Sequence, residues 1–288
     1  MTHTYEKPFR WNIARQEQLG KLLSQDTAPA CVPMHEEMLP TCAKIIAYAG
    51  DSHLVFVGRS PENFFDYLSG LLLKTSWSDR LTLLHFSMRY QAEADIQKEY
   101  PQAIPAMRAY LHSLGLSPQE IATRDHPVAF VDLVDSGDTF SRLIMLLHRW
   151  CKEIRFDWNA VQRRIRLVGI TLRTHNSPNT WRWQQHAEWA SLLETDAVKN
   201  ISIDRHFWSE LGGTQHKLTP SYRPAHWGQE ELAHPTHSDE HIDALRYAYA
   251  LFMRGQSRED RNHLITLLSQ QPAVKEPWLR HLMQELRL

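Results

Sequence analysis

Residues 128–149 read VAFVDLVDSGDTFSRLIMLLHR, and this stretch decides the fold. Its first four residues, Val128 to Val131, are apolar without alternation, which is typical of a parallel strand buried on both faces. The chain then changes to small and acidic residues up to Thr139, as a turn does. Apolar residues return at helical spacing, at Phe140, Leu143, Ile144 and Leu147. The order of strand, acidic turn and helix predicts one unit of an α/β domain.

The turn carries groups that suit phosphate binding. The first amides of a helix have no acceptor inside the helix, and the helix dipole adds partial positive charge there. Gly137 can adopt a positive φ, and Ser136 and Thr139 add hydroxyl donors, so the turn predicts a phosphate-binding loop. Asp132, at the end of the strand, is a candidate for binding ribose hydroxyls or a magnesium ion through water. The alternative is an ordinary strand–turn–helix unit in which Asp135 or Ser136 only caps the helix.

The sequence VDLVDSGDT resembles the phosphate-and-ribose loop of the type I phosphoribosyltransferases. That family has a hydrophobic strand, two acidic residues, two apolar residues, an acidic or small residue, Ser or Thr, Gly, any residue and Thr. Asp132 matches the second acid, and Asp135 matches the position that lies near the base in purine-type members. The apolar pair and the phosphate-binding positions are matched by Leu133, Val134, Ser136, Gly137 and Thr139. Two positions depart from the pattern: Val131 replaces the first acid, and Asp138 places a negative charge beside the expected phosphate.

The resemblance implies a ligand and a reaction. The ligand would be phosphoribosyl pyrophosphate or a nucleoside monophosphate, bound with Mg²⁺, and the phosphoribosyl group would pass to an acceptor that the sequence does not name. Asp135 and Asp132 would be the catalytic residues. The 5′-phosphate and ribose would be bound by Asp132, Ser136, Gly137, Asp138 and Thr139. The alternative is a regulatory or interaction module that keeps the fold without the reaction, favoured by Val131, by Asp138 and by a helical pattern over 92–114 where the family has a mobile loop.

A second strand–loop–helix unit precedes the first. The strand is HLVFV, residues 53–57, and Gly58, Arg59 and Ser60 follow it directly. In the family this place holds the pyrophosphate loop, so these residues would bind pyrophosphate, with the Arg59 guanidinium forming forked contacts. The alternative is that Arg59 pairs with Glu62 or Asp66 on the surface. Arg89 is a further pyrophosphate candidate, or else a solvated arginine at a strand end.

The remaining pattern completes a mainly parallel sheet flanked by helices, with a helical C-terminal part. Strands are predicted over 80–86 and 165–172, and an edge strand over 198–203. Because ligands of such sheets bind at the carboxyl ends of the strands, both loops are expected at one edge. In the family an aromatic residue stacks on the base, a role open to Trp181 or Trp183. The irregular segment 206–227 either closes over the active edge with Lys217, Tyr222 and Arg223 or is a surface strap.

Three regions are expected: an N-terminal extension over 1–33, the phosphoribosyltransferase-like α/β domain over 34–228 and a helical subdomain over 229–288. Helices are predicted after Ser238 and Ser257, each a suitable N-cap, and from Pro277. They would form a small appended bundle or a homodimerisation element. His234, His237 and His241 are spaced too loosely for a zinc site, so a solvated helix entry is the favoured interpretation and no metal ligands are assigned.

Composition narrows the class of protein. The 288 residues carry a formal net charge of −1, which gives no global field toward nucleic acid or acidic membranes. No segment reaches the apolar length of a membrane span, and the N-terminus lacks the apolar core of a signal peptide. The three cysteines, Cys31, Cys42 and Cys151, suggest neither a disulfide framework nor a zinc site. A cytoplasmic location is therefore expected.

Overall fold

The computed structural model describes residues 7–15, 19, 34–88, 93–173, 183–235 and 237–288. Its strands are β1 (His53–Val57), β2 (Leu81–Leu84), β3 (Val128–Leu133), β4 (Ile165–Leu172) and β5 (Val198–Ile203). They form one five-stranded sheet in the order β2-β1-β3-β4-β5, and every pair is parallel. The predicted parallel α/β architecture is confirmed, and β5 is an edge strand as expected.

The α-helices are numbered along the chain. They are α1 (Met38–Ala49), α2 (Glu62–Leu71), α3 (Glu93–Glu99), α4 (Ala103–Ser113), α5 (Pro118–Thr123), α6 (Asp138–Glu153), α7 (Trp158–Gln162), α8 (Arg205–Ser209), α9 (Asp239–Gly255), α10 (Arg258–Ser269) and α11 (Pro277–Glu285). The predicted caps are present, since the side chains of Ser238 and Ser257 accept from the backbone N–H groups of His241 and Asp260. Arg89 lies outside the described residues.

Helices cover both faces of the sheet. On one face the apolar side chains of α3 to α7 form a cluster with residues such as Val55 and Phe130. On the other face α1, α2 and α9 to α11 form a second cluster with Phe56 and Val131. Neighbouring residues of β1 and of β3 therefore point into different clusters. This explains why both strands read as continuous apolar runs.

The C-terminal helices belong to the second layer. Helices α2 and α9 cross so closely that a Cβ on Gly70 would lie 2.0 Å from the carbonyl oxygen of Phe252. A Cβ on Gly255 would lie 2.5 Å from the carbonyl oxygen of Tyr67, and the Tyr67 hydroxyl donates to Asp260 Oδ2 at 2.6 Å. The C-terminal part is helical as predicted, but its helices share one hydrophobic cluster with the sheet instead of forming an appended bundle.

The strand order predicts a crevice beyond the carboxyl ends of β1 and β3. The connection after β1 leads to β2 on one side, whereas the connection after β3 leads to β4 on the other side. At such a reversal the loops diverge and leave room for a ligand beyond the carboxyl ends of the strands. The loops there are 58–60 and 134–139, both predicted from the sequence. Among the described residues, no helix is both long enough and apolar enough to cross a bilayer.

Candidate functional site

A cleft of about 860 Å³ lies at this reversal point. Its walls come from the loops that follow β1, β2 and β3, from the segment after α8 and from the start of α9. The structure brings together nearly all of the residues that the sequence singled out. The cleft is lined by Gly58, Arg59, Ser60, Asp132, Asp135, Ser136, Gly137, Asp138 and Thr139.

The loop after β3 presents free backbone donors to the cleft. Gly137 has φ 85° and precedes the 16-residue helix α6 without a side-chain cap. The first helical bond joins the N–H of Ser141 to the Gly137 carbonyl at 2.9 Å. Within the described part of the chain, no group accepts from the N–H groups of Ser136, Gly137, Asp138 or Thr139. Unpaired amides at the start of a long helix are a suitable environment for an anion.

The Trp183 side chain packs between the loop after β3 and strand β4. Its side chain is 3% exposed, and its indole N–H donates to Asn200 Oδ1 at 2.8 Å. A Cβ on Gly137 would lie 2.4 Å from the indole, and one on Gly169 would lie 3.0 Å from it. The expectation that Trp183 stacks on a base is therefore wrong, because its ring is enclosed between the loop and the sheet. The other candidate, Trp181, lies outside the described residues.

Asp132 is a buried carboxyl at the end of β3. Its side chain is 5% exposed, and the N–H of Leu133 donates to Oδ1 at 2.7 Å. Burial raises the pKa of Asp132 to about 8, against the opposing effect of hydrogen bonds from Leu133 and the Thr139 side chain. Asp132 is therefore largely protonated at neutral pH and can donate a hydrogen bond as well as accept one.

Asp135 and Asp138, the other two acidic residues of the loop, are more exposed to solvent than Asp132. Asp135 is exposed in the cleft wall, where its carboxylate is free to meet a ligand. Asp138 is half-buried in the first turn of α6 and also lines the cleft. No described cation lies within ion-pair distance of either carboxylate. Asp138 therefore lines the cleft in which a phosphate is predicted, and no described cation pairs with it.

In the loop after β1, one of the two backbone N–H groups that were predicted to bind pyrophosphate is already hydrogen-bonded within the protein. Gly58 has φ 76°, and its N–H donates to the carbonyl of Leu84 at 2.8 Å. That amide is therefore not available for pyrophosphate, and the predicted contact from Gly58 is wrong because the sheet uses the donor. The N–H of Ser60 has no acceptor among the described residues, so it stays available.

Arg59 is exposed in the cleft wall without a carboxylate partner among the described residues. The predicted alternative paired it with Glu62 or Asp66. Both acids are engaged otherwise: Glu62 accepts from two backbone amides at 3.0 and 2.8 Å, and Asp66 pairs with Arg10 at 2.7 Å. The alternative is wrong because it overlooked these long-range partners, and Arg59 is free to bind a ligand.

His85 is a cleft residue that sequence reasoning missed. It follows β2, its side chain is 6% exposed, and its Nδ1 has no hydrogen-bond partner. Burial lowers the pKa of His85 to about 3, so the ring is neutral at physiological pH. A neutral imidazole in a cleft wall can accept or donate one hydrogen bond to a ligand. Nothing in the strand sequence RLTLLHF distinguishes it from a core histidine.

The segment 206–227 contributes a wall of the cleft. Lys217 and Arg223 line it, as does Tyr222. Tyr222 is buried, its hydroxyl accepts from the N–H of Gly228 at 3.1 Å, and its carbonyl accepts from the Trp227 indole at 3.1 Å. Tyr222 therefore holds the segment in place, whereas the two cations face the ligand space.

The donors of the cleft fit a magnesium ion that enters with its ligand. In the described residues, no three His, Cys, Asp or Glu side chains are grouped around a metal position. Asp132 and Asp135 nevertheless line the same cleft, and a bound Mg²⁺ would displace the proton of Asp132. Mg²⁺ commonly uses one or two carboxylates together with phosphate oxygens and water. The arrangement suits that mode and not a site built from protein ligands alone.

Comparison of the chain with protein-family models, with curated proteins and with solved structures finds no match.

Proposed function

We propose that this protein binds a phosphoribosyl ligand, phosphoribosyl pyrophosphate or a nucleoside monophosphate, and transfers its phosphoribosyl group to an acceptor. The backbone N–H groups of residues 136–139, which have no acceptor among the described residues, support this most directly. They line a cleft whose wall also contains the carboxyl groups of Asp132 and Asp135. The amides suit the 5′-phosphate, and Asp132 and Asp135 line the same cleft, in which an attached sugar would bind.

The roles of the remaining residues follow from their chemistry. Asp132 binds ribose hydroxyls, since a buried carboxyl with a raised pKa can both donate to and accept from them. Arg59 and the N–H of Ser60 bind the pyrophosphate oxygens, where negative charge grows as the glycosidic bond breaks. A magnesium ion bound with the ligand would neutralise part of that charge.

In the transfer step, Asp135 acts as the general base and accepts a proton from the acceptor. The acceptor atom attacks C1 of the ribose, the bond from C1 to the pyrophosphate oxygen breaks, and pyrophosphate leaves with the bonding electron pair. The acceptor loses a proton to Asp135, which is exposed in the cleft wall and therefore accessible to it.

A second function, ligand binding without transfer, has one specific observation in its favour. Val131 stands where the family has its first acid. Its side chain is fully buried in the hydrophobic cluster that the sheet forms with α1, α2 and the C-terminal helices. Asp132 is therefore left without the acidic neighbour of the family pattern. A regulatory module would retain the phosphate loop and lose turnover.

Titration calorimetry with phosphoribosyl pyrophosphate and Mg²⁺, followed by a pyrophosphate-release assay with candidate acceptors, separates these functions. Binding with release supports the transferase, and binding without release supports the module. Absence of both signals rejects both proposals. Asp135→Asn is expected to keep the affinity for ribose 5-phosphate, which reports on phosphate binding alone, within about twofold and to abolish release. Asp196→Asn, an exposed aspartate elsewhere on the surface, is the matched control and should change neither quantity.

A further inference from the structure

One wall of the cleft is formed by a segment without helix or strand, residues 215–223, which we call the strap. Seven of its nine residues line the cleft. Positions 216–222 form no backbone–backbone hydrogen bond with any described residue. Tyr222 fixes the C-terminal end of the strap, as described above. The position of the rest is therefore set by side chains from other parts of the chain.

Helix α2 supplies the first of these anchors. The carboxylate of Glu62 accepts from the N–H groups of Leu218 and Thr219 at 3.0 and 2.8 Å. Asn63 donates its side-chain amide to Gln215 Oε1. Glu62 and Asn63 are both buried, so water does not compete for these bonds.

The N-terminal segment, residues 7–13, supplies the second anchor through Arg10. Arg10 Nε donates to Thr219 Oγ1 at 3.0 Å, and Nη2 donates to both carboxylate oxygens of Asp66 at 2.7 Å. The guanidinium carbon lies 5.4 Å from the centre of the Phe65 ring. The Asp66 side chain is fully buried, and that of Arg10 is 9% exposed. One rigid guanidinium therefore joins the strap to two residues of α2.

The N-terminal segment also contacts the strap through apolar side chains. Leu218 is buried in one hydrophobic cluster with Ile13, Leu19 and apolar residues of α9. The segment is itself attached to the chain beyond the strap, since the N–H of Phe9 donates to the carbonyl of Leu232 at 2.5 Å. If the segment left, Leu218 would lose apolar contacts, which favours the docked position.

We infer that Arg10 is a positioning residue of the cleft, through which the N-terminal segment fixes the strap in the place where it forms the wall. Without the contact from Arg10 to Thr219, the strap opens locally more often. A ligand that binds against the closed strap favours the same state, so ligand binding and docking of the N-terminal segment strengthen each other. The positioning role is independent of the proposed function. Only the coupling to phosphoribosyl pyrophosphate rests on that function.

Limited digestion with trypsin measures strap opening, because the peptide bond after Lys217 lies within the strap. When reclosing is fast, the cleavage rate follows the population of the open state. Thr219→Val removes the hydroxyl that accepts from Arg10 and keeps the Arg10–Asp66 pair and the backbone bond to Glu62. We expect it to speed cleavage after Lys217 by about three- to tenfold. Arg10→Gln should speed it by more than about tenfold, because Asp66 also loses its partner.

Cleavage after Lys199, on β5, reports on unfolding of the sheet and separates local opening from general destabilisation. In Thr219→Val its rate should change by less than about twofold. Arg246→Gln, which removes an exposed arginine of α9, is the matched control and should change neither rate. An unchanged rate after Lys217 in Thr219→Val, or an equal increase at both sites, overturns the positioning role of Arg10.

The ligand experiment uses the parent chain with phosphoribosyl pyrophosphate and Mg²⁺. At ten times the dissociation constant, the ligand should slow cleavage after Lys217 by about tenfold, because the open strap cannot bind it. If calorimetry detects no binding while cleavage still responds to Thr219→Val, the proposed function fails and the positioning role stands. If the ligand binds and the cleavage rate after Lys217 is unchanged, the coupling is overturned.

Discussion

Gly137, in the loop after β3, lies against Trp183, and this contact leaves no room for a side chain at position 137. A Cβ on Gly137 would lie 2.4 Å from Cε3 of the indole, and the glycine has φ 85°. The loop therefore depends on glycine for two reasons, a positive φ and a close approach to a rigid ring. The indole is itself held by Asn200 and is buried, so it cannot yield to an added methyl group.

Gly137→Ala is expected to lower the free energy of unfolding by about 2 to 4 kcal/mol and to abolish binding of ribose 5-phosphate. The added methyl group displaces the loop, so its amides no longer converge on the phosphate. Urea unfolding and titration calorimetry measure the two effects. Gly213→Ala is the matched control, because Gly213 lines the same cleft and its Cβ would have nothing within 4 Å. A Gly137→Ala chain that binds ribose 5-phosphate normally would falsify the proposed role of the loop.

Asp138→Asn is expected to strengthen binding of ribose 5-phosphate by about two- to tenfold, because an unpaired negative charge leaves the phosphate site. The helix should lose about 0.3 to 1 kcal/mol of favourable interaction with its dipole. Calorimetry at low and high salt measures the affinity, and the gain should shrink at high salt. Asp239→Asn is the matched control, since Asp239 also begins a helix but does not line the cleft. No gain in affinity would show that the Asp138 charge points away from the ligand.

The raised pKa of Asp132 makes the free energy of unfolding depend on pH. Burial raises the pKa of the Asp132 carboxyl to about 8 in the folded chain, against an ordinary value of 3.8. Because the folded state binds this proton more tightly, the free energy of unfolding falls as pH rises through that interval and then levels off. The pKa of Asp66 is raised to about 6, so the range above pH 6 separates the two groups.

Asp132→Asn removes that ionisation and keeps an acceptor for the N–H of Leu133. The parent chain is expected to lose on the order of a few kcal/mol between about pH 6 and pH 9, and the variant to lose much less. Urea unfolding at several pH values gives the comparison, with Asp243→Asn as the exposed control. Equal slopes for parent and variant would mean that Asp132 is ionised in the folded chain at neutral pH.

Gly70→Ala tests the crossing that joins the C-terminal helices to the sheet. The new Cβ would lie 2.0 Å from the carbonyl oxygen of Phe252, a backbone atom that cannot rotate away. We expect a loss of about 3 kcal/mol in the free energy of unfolding, measured in urea. Ser69→Ala, at the next position of α2, is the control and should cost less than about 1 kcal/mol. A tolerated Gly70→Ala would show that α9 can move away from α2 at little cost.

The sequence predicted the fold wherever the governing interactions are local. The apolar runs of β1 and β3 predicted strands buried on both faces, and the alternation of strands with helical patterns predicted a parallel sheet. Ser238 and Ser257 predicted helix starts, because a cap forms within the first turn. The nine cleft residues named above came from the family resemblance, and the rule that loops after parallel strands meet at one edge predicted that they lie together.

By itself, then, the sequence determined the order of elements and the loop with unpaired amides. Only the tertiary structure decided which donors and charges remain for a ligand. The Gly58 amide donates to β2, and Trp183 is enclosed between the loop after β3 and the sheet. Glu62 accepts from the N–H of Leu218, 156 positions away along the chain, and so leaves Arg59 unpaired among the described residues. Such pairings depend on which distant segments pack together, and the periodicity of a short window carries no information about them.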